Sequence, residues 1–336
     1  MPEPRDIAVL GAGNWGTTLA VLLAGNGHRV RLWEFRPESA LQIAADRENR
    51  EFLPGIAIPH EVAVTSDLAA AMQEVDLCVL AVPSHALRTV CGQVGPLLTE
   101  GDLLLSVIKG LEQGTLLRMS EAIRQTLGKK ADRLAALSGP NIAWEVARGL
   151  PSTSVVAAAD QRTAERVRDI LMTPQFRVYT GSDLAGLELG GALKNVIAIA
   201  SGIVQGLGLG ANAQGALLTR GLAEMARLGT ALGARAETFA GLSGMGDLVT
   251  TCTSPHSRNR TVGERIGRGE KLADILASLT MVAEGVTTTE AACQLAARRG
   301  VELPIAEQMR QVLFQGKDPR RAVADLMTRE PKAEVG

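Results

Sequence analysis

Aromatic side chains are scarce in this sequence: five Phe, three Trp and one Tyr amount to 3% of 336 residues, so the interior must be packed with aliphatics. The four cysteines, Cys78, Cys91, Cys252 and Cys293, form no CxxC pair and have no zinc-ligand spacing. That excludes a disulfide framework and predicts reduced thiols with no metal site. Neither sign of charge dominates, and a formal net charge of -1 removes the electrostatic case for nucleic acid or an anionic membrane as partner. No run reaches the roughly 18 consecutive apolar residues of a membrane span. Glu3, Arg5 and Asp6 leave no signal-peptide core at the N-terminus, so the expectation is a cytoplasmic protein without an integral membrane segment. Internal repeats and low-complexity stretches are missing too, apart from a short tail, Glu330 to Gly336, that reads as frayed.

What is present is a chain long enough for two domains with large cores, 46% of it apolar. Ile7-Ala8-Val9-Leu10 reads as a strand and runs straight into Gly11-Ala12-Gly13-Asn14-Trp15-Gly16, which a helical pattern follows to Asn26. In this strand–GxGxxG–helix setting each glycine has a task. The first makes the tight turn, the second admits a diphosphate close to the backbone, and the third lets helix and strand pack. The helix N-terminus adds free N–H groups and the positive end of its dipole. A second strand, Val30 to Trp33, ends at Glu34, the acidic residue expected about 20 positions on. Glu34 suits the ribose 2′-hydroxyl of NAD, whereas Arg36 suits the 2′-phosphate of NADP, and the residues leave both open.

Strand and helix then alternate. Leu77 to Val82, Leu103 to Val107 and Leu134 to Ser138 are unbroken apolar runs of the kind found in central parallel strands. They end at Pro83-Ser84-His85, Ile108-Lys109-Gly110 and Gly139-Pro140-Asn141, turns at strand carboxyl ends, where such sheets bind ligands. His85 reads as a loop histidine beside the cofactor and Lys109 as a cation for a phosphate or carbonyl. Ser152 to Ala159 and Phe176 to Tyr179 extend the sheet around a helix from Arg162 to Met172. The prediction is a doubly wound, mostly parallel α/β sheet of Rossmann type over residues 1–188.

From residue 189 to 336 the pattern is all-α. Gly190 to Ser201 predicts a helix apolar almost all round, hence buried, yet it carries Lys194 and Asn195. A buried ammonium is costly unless it is paired or its pKa falls, and the alternative on position alone is a lysine that snorkels out. The glycines of Gln205 to Asn212 mark either a break or a close helix contact. Gly241 to Arg260 reads as a loop rich in glycine and hydroxyls. In it Arg258 suits phosphate oxygens, Ser257 and Asn259 add neutral hydrogen bonds, and Asp247 accepts from hydroxyls or holds a lysine.

These segments together resemble the NAD(P)-dependent glycerol-3-phosphate dehydrogenase family in its prokaryotic form. The likeness runs in order through 11–16, Val107-Ile108-Lys109-Gly110, Ser138-Gly139-Pro140, 190–195, 206–212, 241–248, Ser257-Arg258-Asn259 and Val282-Ala283-Glu284-Gly285. It implies reversible reduction of dihydroxyacetone phosphate to sn-glycerol 3-phosphate for phospholipid synthesis, with NADP slightly favoured over NAD. By the same resemblance Lys194 is the catalytic lysine. Substrate contacts fall to Lys109, Gly139, Asn141, Lys194, Asp247, Ser257, Arg258 and Asn259. Cofactor contacts fall to Gly11, Gly13, Asn14, Trp15, Gly16, Arg36, Lys109, Ala143, Arg258, Val282 and Glu284. Asn141-Ile142 and Trp144 depart from the family's usual residues. A homodimer fits both the resemblance and the apolar second domain.

Lys194 is then the proton donor to the ketone, its pKa lowered by burial and Lys109 and raised by Asp247 if that residue lies close. Two rivals stand beside this reading: a reductase of hydroxyacids or ketopantoate-like substrates, which needs a carboxylate clamp, and a catalytically dead dinucleotide sensor, which has no use for Lys194 and Asp247.

Overall fold

The computed structural model describes residues 3–280, 282–331 and 333–334. The tail expected over 330–336 therefore falls partly on residues outside the described ones.

Through residue 181 the order is β1 (Asp6–Leu10), α1 (Asn14–Gly25), β2 (Arg29–Trp33), α2 (Pro37–Asp46), β3 (Val62–Thr65), α3 (Leu68–Ala71), β4 (Leu77–Leu80) and α4 (Leu87–Val94). It continues with β5 (Leu103–Ser106), α5 (Met119–Leu127), β6 (Leu134–Ser138), α6 (Ala143–Ala147), β7 (Ser152–Ala158), α7 (Gln161–Leu171) and β8 (Phe176–Gly181). The eight strands form one sheet in the order β3-β2-β1-β4-β5-β6-β7-β8, parallel except for the β6–β7 pair. Alternate residues feed a core on each face: Ile7, Val9, Leu77 and Val79 on one side, Ala8, Leu10, Cys78 and Leu80 on the other. Burial on both faces is why these strands are unbroken apolar runs in the sequence. The strand order reverses between β1 and β4, and that crevice is where doubly wound sheets take ligands.

The remainder is helical: α8 (Leu184–Gly206), α9 (Gly210–Ala231), α10 (Ala236–Ala240), α11 (Asp247–Thr253), α12 (Arg258–Gly267), α13 (Leu272–Ala277), α14 (Glu284–Arg299), α15 (Pro304–Gln315) and α16 (Pro319–Met327). Helix α8 is the axis, packed by α9, α12 and α14 around a core of Ile197, Ile199, Ile203, Met225, Val262 and Val286. It is long and apolar enough to cross a membrane, yet its apolar stretch is buried inside the protein.

Helix α8 starts six residues before the expected Gly190, because Asp183 caps it by accepting the Gly186 N–H at 2.9 Å. The polar residue that hid this start, Glu188, is buried and satisfied. Its carboxylate accepts from the Ser120 N–H at 2.7 Å, the Ser120 hydroxyl at 2.6 Å and Arg118 Nη1 at 2.7 Å. These bonds tie the start of α8 to α5 beneath the sheet. The glycines after residue 201 prove to be both break and contact. Gly202 touches the α12 backbone so closely that a Cβ would sit 1.9 Å from the Arg260 carbonyl, and Gly208 and Gly210 turn the chain with φ +70° and +80°. The expected loop over 241–260 is largely helical, a π-helical turn at Leu242–Gly246 leading into α11 and then α12.

Candidate active site

At the β1–α1 turn, Gly11 has φ +111°, and a Cβ there would lie 2.7 Å from the Ala81 carbonyl across the β1–β4 crevice. Gly13 is the reverse case: among the described residues nothing approaches within 4 Å of where its Cβ would be, and no side chain caps the α1 N-terminus. An open backbone concavity facing the positive end of a helix fits a dinucleotide diphosphate. Asn14 turns its Oδ1 onto the Trp15 N–H at 2.8 Å, and the Trp15 ring packs near Phe176. Ala143, packed in a small cluster beside Trp15, accepts the Thr18 hydroxyl through its carbonyl. At the end of β2, Glu34 is buried and accepts from Arg36 Nε at 2.8 Å, so the acid and the base that the sequence offered as alternatives are paired with each other.

Lys194 does not snorkel. It is 6% exposed, and its Nζ donates to Asp247 Oδ1 at 3.0 Å and to Thr251 Oγ1 at 2.5 Å. The other carboxylate oxygen of Asp247 accepts from Lys109 Nζ at 2.6 Å, and Lys109 also donates to the Gly139 carbonyl at 2.9 Å. One carboxylate therefore joins the lysine at the end of β5 to the lysine in the middle of α8. Burial lowers the Lys194 pKa from its ordinary value to about 8, with Asp247 opposing the shift and Lys109 reinforcing it. Burial drives Asp247 upward, but the two ammonium groups outweigh it and hold the carboxyl below its usual range.

Two adjacent glycines make the approach possible. A Cβ on Gly190 would stand 2.7 Å from the Ser243 carbonyl, and one on Gly191 would stand 2.8 Å from Ser138 Oγ and 3.4 Å from Lys109 Cγ. Helix α8 is thus pressed between the π-helical turn and the strand ends. The Ser138 hydroxyl there is buried without a hydrogen-bond partner among the described residues.

Thr251 was not singled out in the sequence. Its signal was the i,i+4 spacing from Asp247, which puts both on one face once the segment is helical. Asn195, the residue after Lys194, donates to the Lys109 carbonyl at 3.2 Å and accepts from Asn259 Nδ2 at 2.8 Å. Asn259 Oδ1 in turn accepts the Gly285 N–H at 3.0 Å, so a line of amides runs from β5 through α8 and α12 to α14.

The expected contact residues differ in what they leave free. Ser257 caps α12, Asn259 is held by Asn195 and Gly285 and keeps a second amide N–H, and Asn141 bonds the Thr153 carbonyl and the Ser154 hydroxyl. Glu284 accepts the Ser84 N–H at 3.0 Å and hydroxyl at 2.6 Å, joining α14 to the end of β4, and Val282 beside it is exposed. His85 is exposed on the same turn. Arg258, in the first turn of α12, makes no hydrogen bond or ion pair among the described residues, and burial lowers its pKa with Glu284 opposing. An unspent guanidinium at a helix N-terminus is an anion site by charge and by geometry. Trp144, one of the two departures from the family pattern, stacks on His256 with centroids 5.3 Å apart, under the Arg148 guanidinium.

The chain's likeness to known proteins agrees with this geometry. The family pattern described as NAD-dependent glycerol-3-phosphate dehydrogenase N-terminus matches residues 6–164, and its C-terminus counterpart matches residues 183–324. A glycerol-3-phosphate dehydrogenase [NAD(P)+] of Moorella thermoacetica is 52% identical over 98% of this chain and 98% of its own. One from a Geobacter species, strain M21, is 53% identical over 98% and 99%. The crystal structure of glycerol-3-phosphate dehydrogenase from Coxiella burnetii superposes with a TM-score of 0.93 at 36% identity, covering 98% of this chain and 100% of that one. With an N-terminal Rossmann sheet, a helical second half and both family patterns in order, the chain belongs to the NAD-dependent glycerol-3-phosphate dehydrogenase family.

Proposed function

We propose that the protein catalyses the NAD(P)H-dependent, reversible reduction of dihydroxyacetone phosphate to sn-glycerol 3-phosphate, feeding glycerophospholipid synthesis. The observation that carries this is the buried Lys194–Asp247–Lys109 group, set where α8 meets the strand ends. The nicotinamide, when bound, supplies or accepts the hydride. Lys194 donates the proton to the ketone oxygen in reduction and, as the neutral amine, takes it from the hydroxyl in oxidation. A pKa of about 8 keeps it mostly ammonium at neutral pH while leaving the amine within reach. Asp247 and Thr251 fix its Nζ, and Lys109, held by Asp247 and Gly139, adds a second cation beside the carbonyl.

Arg258 is the phosphate anchor in this reading, backed by the α12 N-terminus that Ser257 caps. Gly139, Asn141, Ser257 and Asn259 border the substrate. The diphosphate and ribose lie along Gly11, Gly13, Asn14, Trp15, Gly16 and Arg36. Lys109, Ala143, Arg258, Val282 and Glu284 border the nicotinamide side. Both cofactors are accepted, NADP slightly more readily. We assign residues 1–188 to the dinucleotide unit and 189–336 to the substrate unit. A cytoplasmic homodimer accords with the family.

The test is loss of NADPH absorbance by the full chain with dihydroxyacetone phosphate, run beside NADH and beside an α-keto acid. Turnover with the triose phosphate alone is expected. Preference for the keto acid would favour a hydroxyacid reductase, and no turnover at all would favour a sensor.

A further inference from the structure

The residues around Arg36 carry a second specificity element, one outside the GxGxxG turn and outside β2. Glu34 takes one edge of the guanidinium, accepting from the Arg36 backbone N–H at 3.2 Å and from Nε at 2.8 Å. The other edge is held by Glu51, on the connection after α2. Nη2 donates to its Oε2 at 3.0 Å and Nη1 to its Oε1 at 3.4 Å. The ring centroids of Phe35 and Phe52 lie 5.6 and 5.5 Å from the guanidinium carbon. Arg36 is therefore doubly neutralised before any ligand arrives.

The two carboxylates differ in how firmly they hold. Glu34 is 4% exposed at its side chain and has nowhere else to put its charge, so its bond to Arg36 is fixed by the cost of stranding a buried carboxylate. Glu51 is 43% exposed and regains water when it lets go. Half-exposed pairs of this kind hold only weakly. A 2′-hydroxyl asks only for an acceptor, which Glu34 provides with Arg36 left in place. A 2′-phosphate asks for the outer face of the guanidinium, and to reach it must displace Glu51 and then sit near its negative charge.

We propose that Glu51 is a specificity-determining residue: by gripping the outer edge of Arg36 it handicaps a 2′-phosphate relative to a 2′-hydroxyl, and so keeps both cofactors usable. The proposal rests on the β1–α1 turn being an NAD(P) site. The handicap is small because the pair is half-exposed, which suits an enzyme that takes either form rather than one locked to NAD.

The experiment is calorimetric titration of the full chain with adenosine 2′,5′-bisphosphate and with 5′-AMP, comparing wild type, Glu51→Gln, Arg36→Gln and the double variant. Glutamine keeps the shape of Glu51 and removes its charge. The affinity ratio is expected to move toward the 2′-phosphorylated ligand by about two- to fivefold in Glu51→Gln. With Arg36 already replaced, the same change is expected to leave the ratio where it was, since the two residues act as a pair. An unchanged ratio in Glu51→Gln overturns the proposal alone. So does an equal gain for both ligands, or the same shift in the double variant, which would mean a general field effect and not a hold on Arg36. Failure of the wild-type protein to bind either ligand overturns the NAD(P) reading and the proposal together.

Discussion

Lys194 Nζ and Asp247 Oδ1 lie 3.0 Å apart inside the protein, one from the middle of α8 and the other from the first residue of α11. The pair is not neutral in effect, because Asp247 is shared with Lys109, and three charges at close quarters leave one net positive. Burial outweighs the single carboxylate, so Lys194 titrates near 8 instead of near its ordinary 10.5.

The pH dependence follows with opposite signs in the two directions. Reduction needs the ammonium, so kcat/KM for dihydroxyacetone phosphate should hold at neutral pH and fall as pH rises through about 8. Oxidation of glycerol 3-phosphate needs the amine and should rise over the same interval. Lys194→Ala should lower kcat by about 10²–10⁴-fold, with NADPH affinity by calorimetry retained. Near-normal turnover in that variant would remove Lys194 from the chemistry.

Asp247→Asn should do two things at once. It leaves two cations at the domain junction without their carboxylate, a loss of about 3–5 kcal/mol in denaturant unfolding. It also removes the charge that raises the Lys194 pKa, so the limb near 8 should move to lower pH. A limb that stays in place, or moves upward, would mean that the titrating group is not Lys194.

Much of this was legible in the sequence because particular residues have few other uses. Strand, GxGxxG and helix in succession, with Glu34 about 20 positions on, point to a dinucleotide turn, and a lone lysine in a helix that is apolar all round must pair, shed its proton or snorkel. The start of α8 was hidden because Glu188 looks like a surface residue until α5 supplies Ser120 and Arg118, 68 and 70 positions away in the chain. The strand β3 is only four residues, Val62–Thr65, too short to show a period. Thr251 was missed for a related reason. Read as part of a glycine-rich loop, it has no fixed relation to Asp247, and the helix alone puts the two on one face. Asn259 is legible only in part: its residue type suggests a ligand contact, while the bonds to Asn195 and Gly285 that hold its amide in place come from the fold.

Glu224 gives a pH effect on stability that is separate from catalysis. It is buried, accepts the Ile305 N–H at 2.7 Å at the start of α15, and burial pushes its pKa up from 4.5 to about 7 despite that bond. The native state thus holds a proton that the unfolded chain releases from about 4.5 upward. Stability from this group is therefore greatest below that pH and is lost as pH rises to about 7. The loss is about 3 kcal/mol by linkage. Glu224→Gln keeps an oxygen for Ile305 and has no charge to gain. Urea unfolding at pH 5 and pH 8 should show the wild type losing stability relative to the variant; parallel behaviour would mean that the carboxylate is ionised throughout.

Gly190 and Gly191 differ in how the structure receives an added Cβ. An alanine at either gains about 1 kcal/mol of helix propensity, so the outcome depends on what its Cβ meets. At 190 it meets the Ser243 carbonyl at 2.7 Å, a backbone atom in a packed turn that has little room to give. Overpacking of that sort costs about 1–3 kcal/mol, so Gly190→Ala should be destabilising on balance. At 191 the nearest atom is the Ser138 hydroxyl, which a rotamer change moves aside, and the next is the stem of Lys109 at 3.4 Å. Gly191→Ala should therefore unfold close to the wild-type midpoint and keep its turnover, because a Cβ there only touches the Lys109 stem and leaves it reaching both Asp247 and Gly139. Unfolding midpoints and kcat measured on the two variants side by side decide it: a Gly191→Ala as destabilised as Gly190→Ala would show that the Ser138 hydroxyl cannot turn aside.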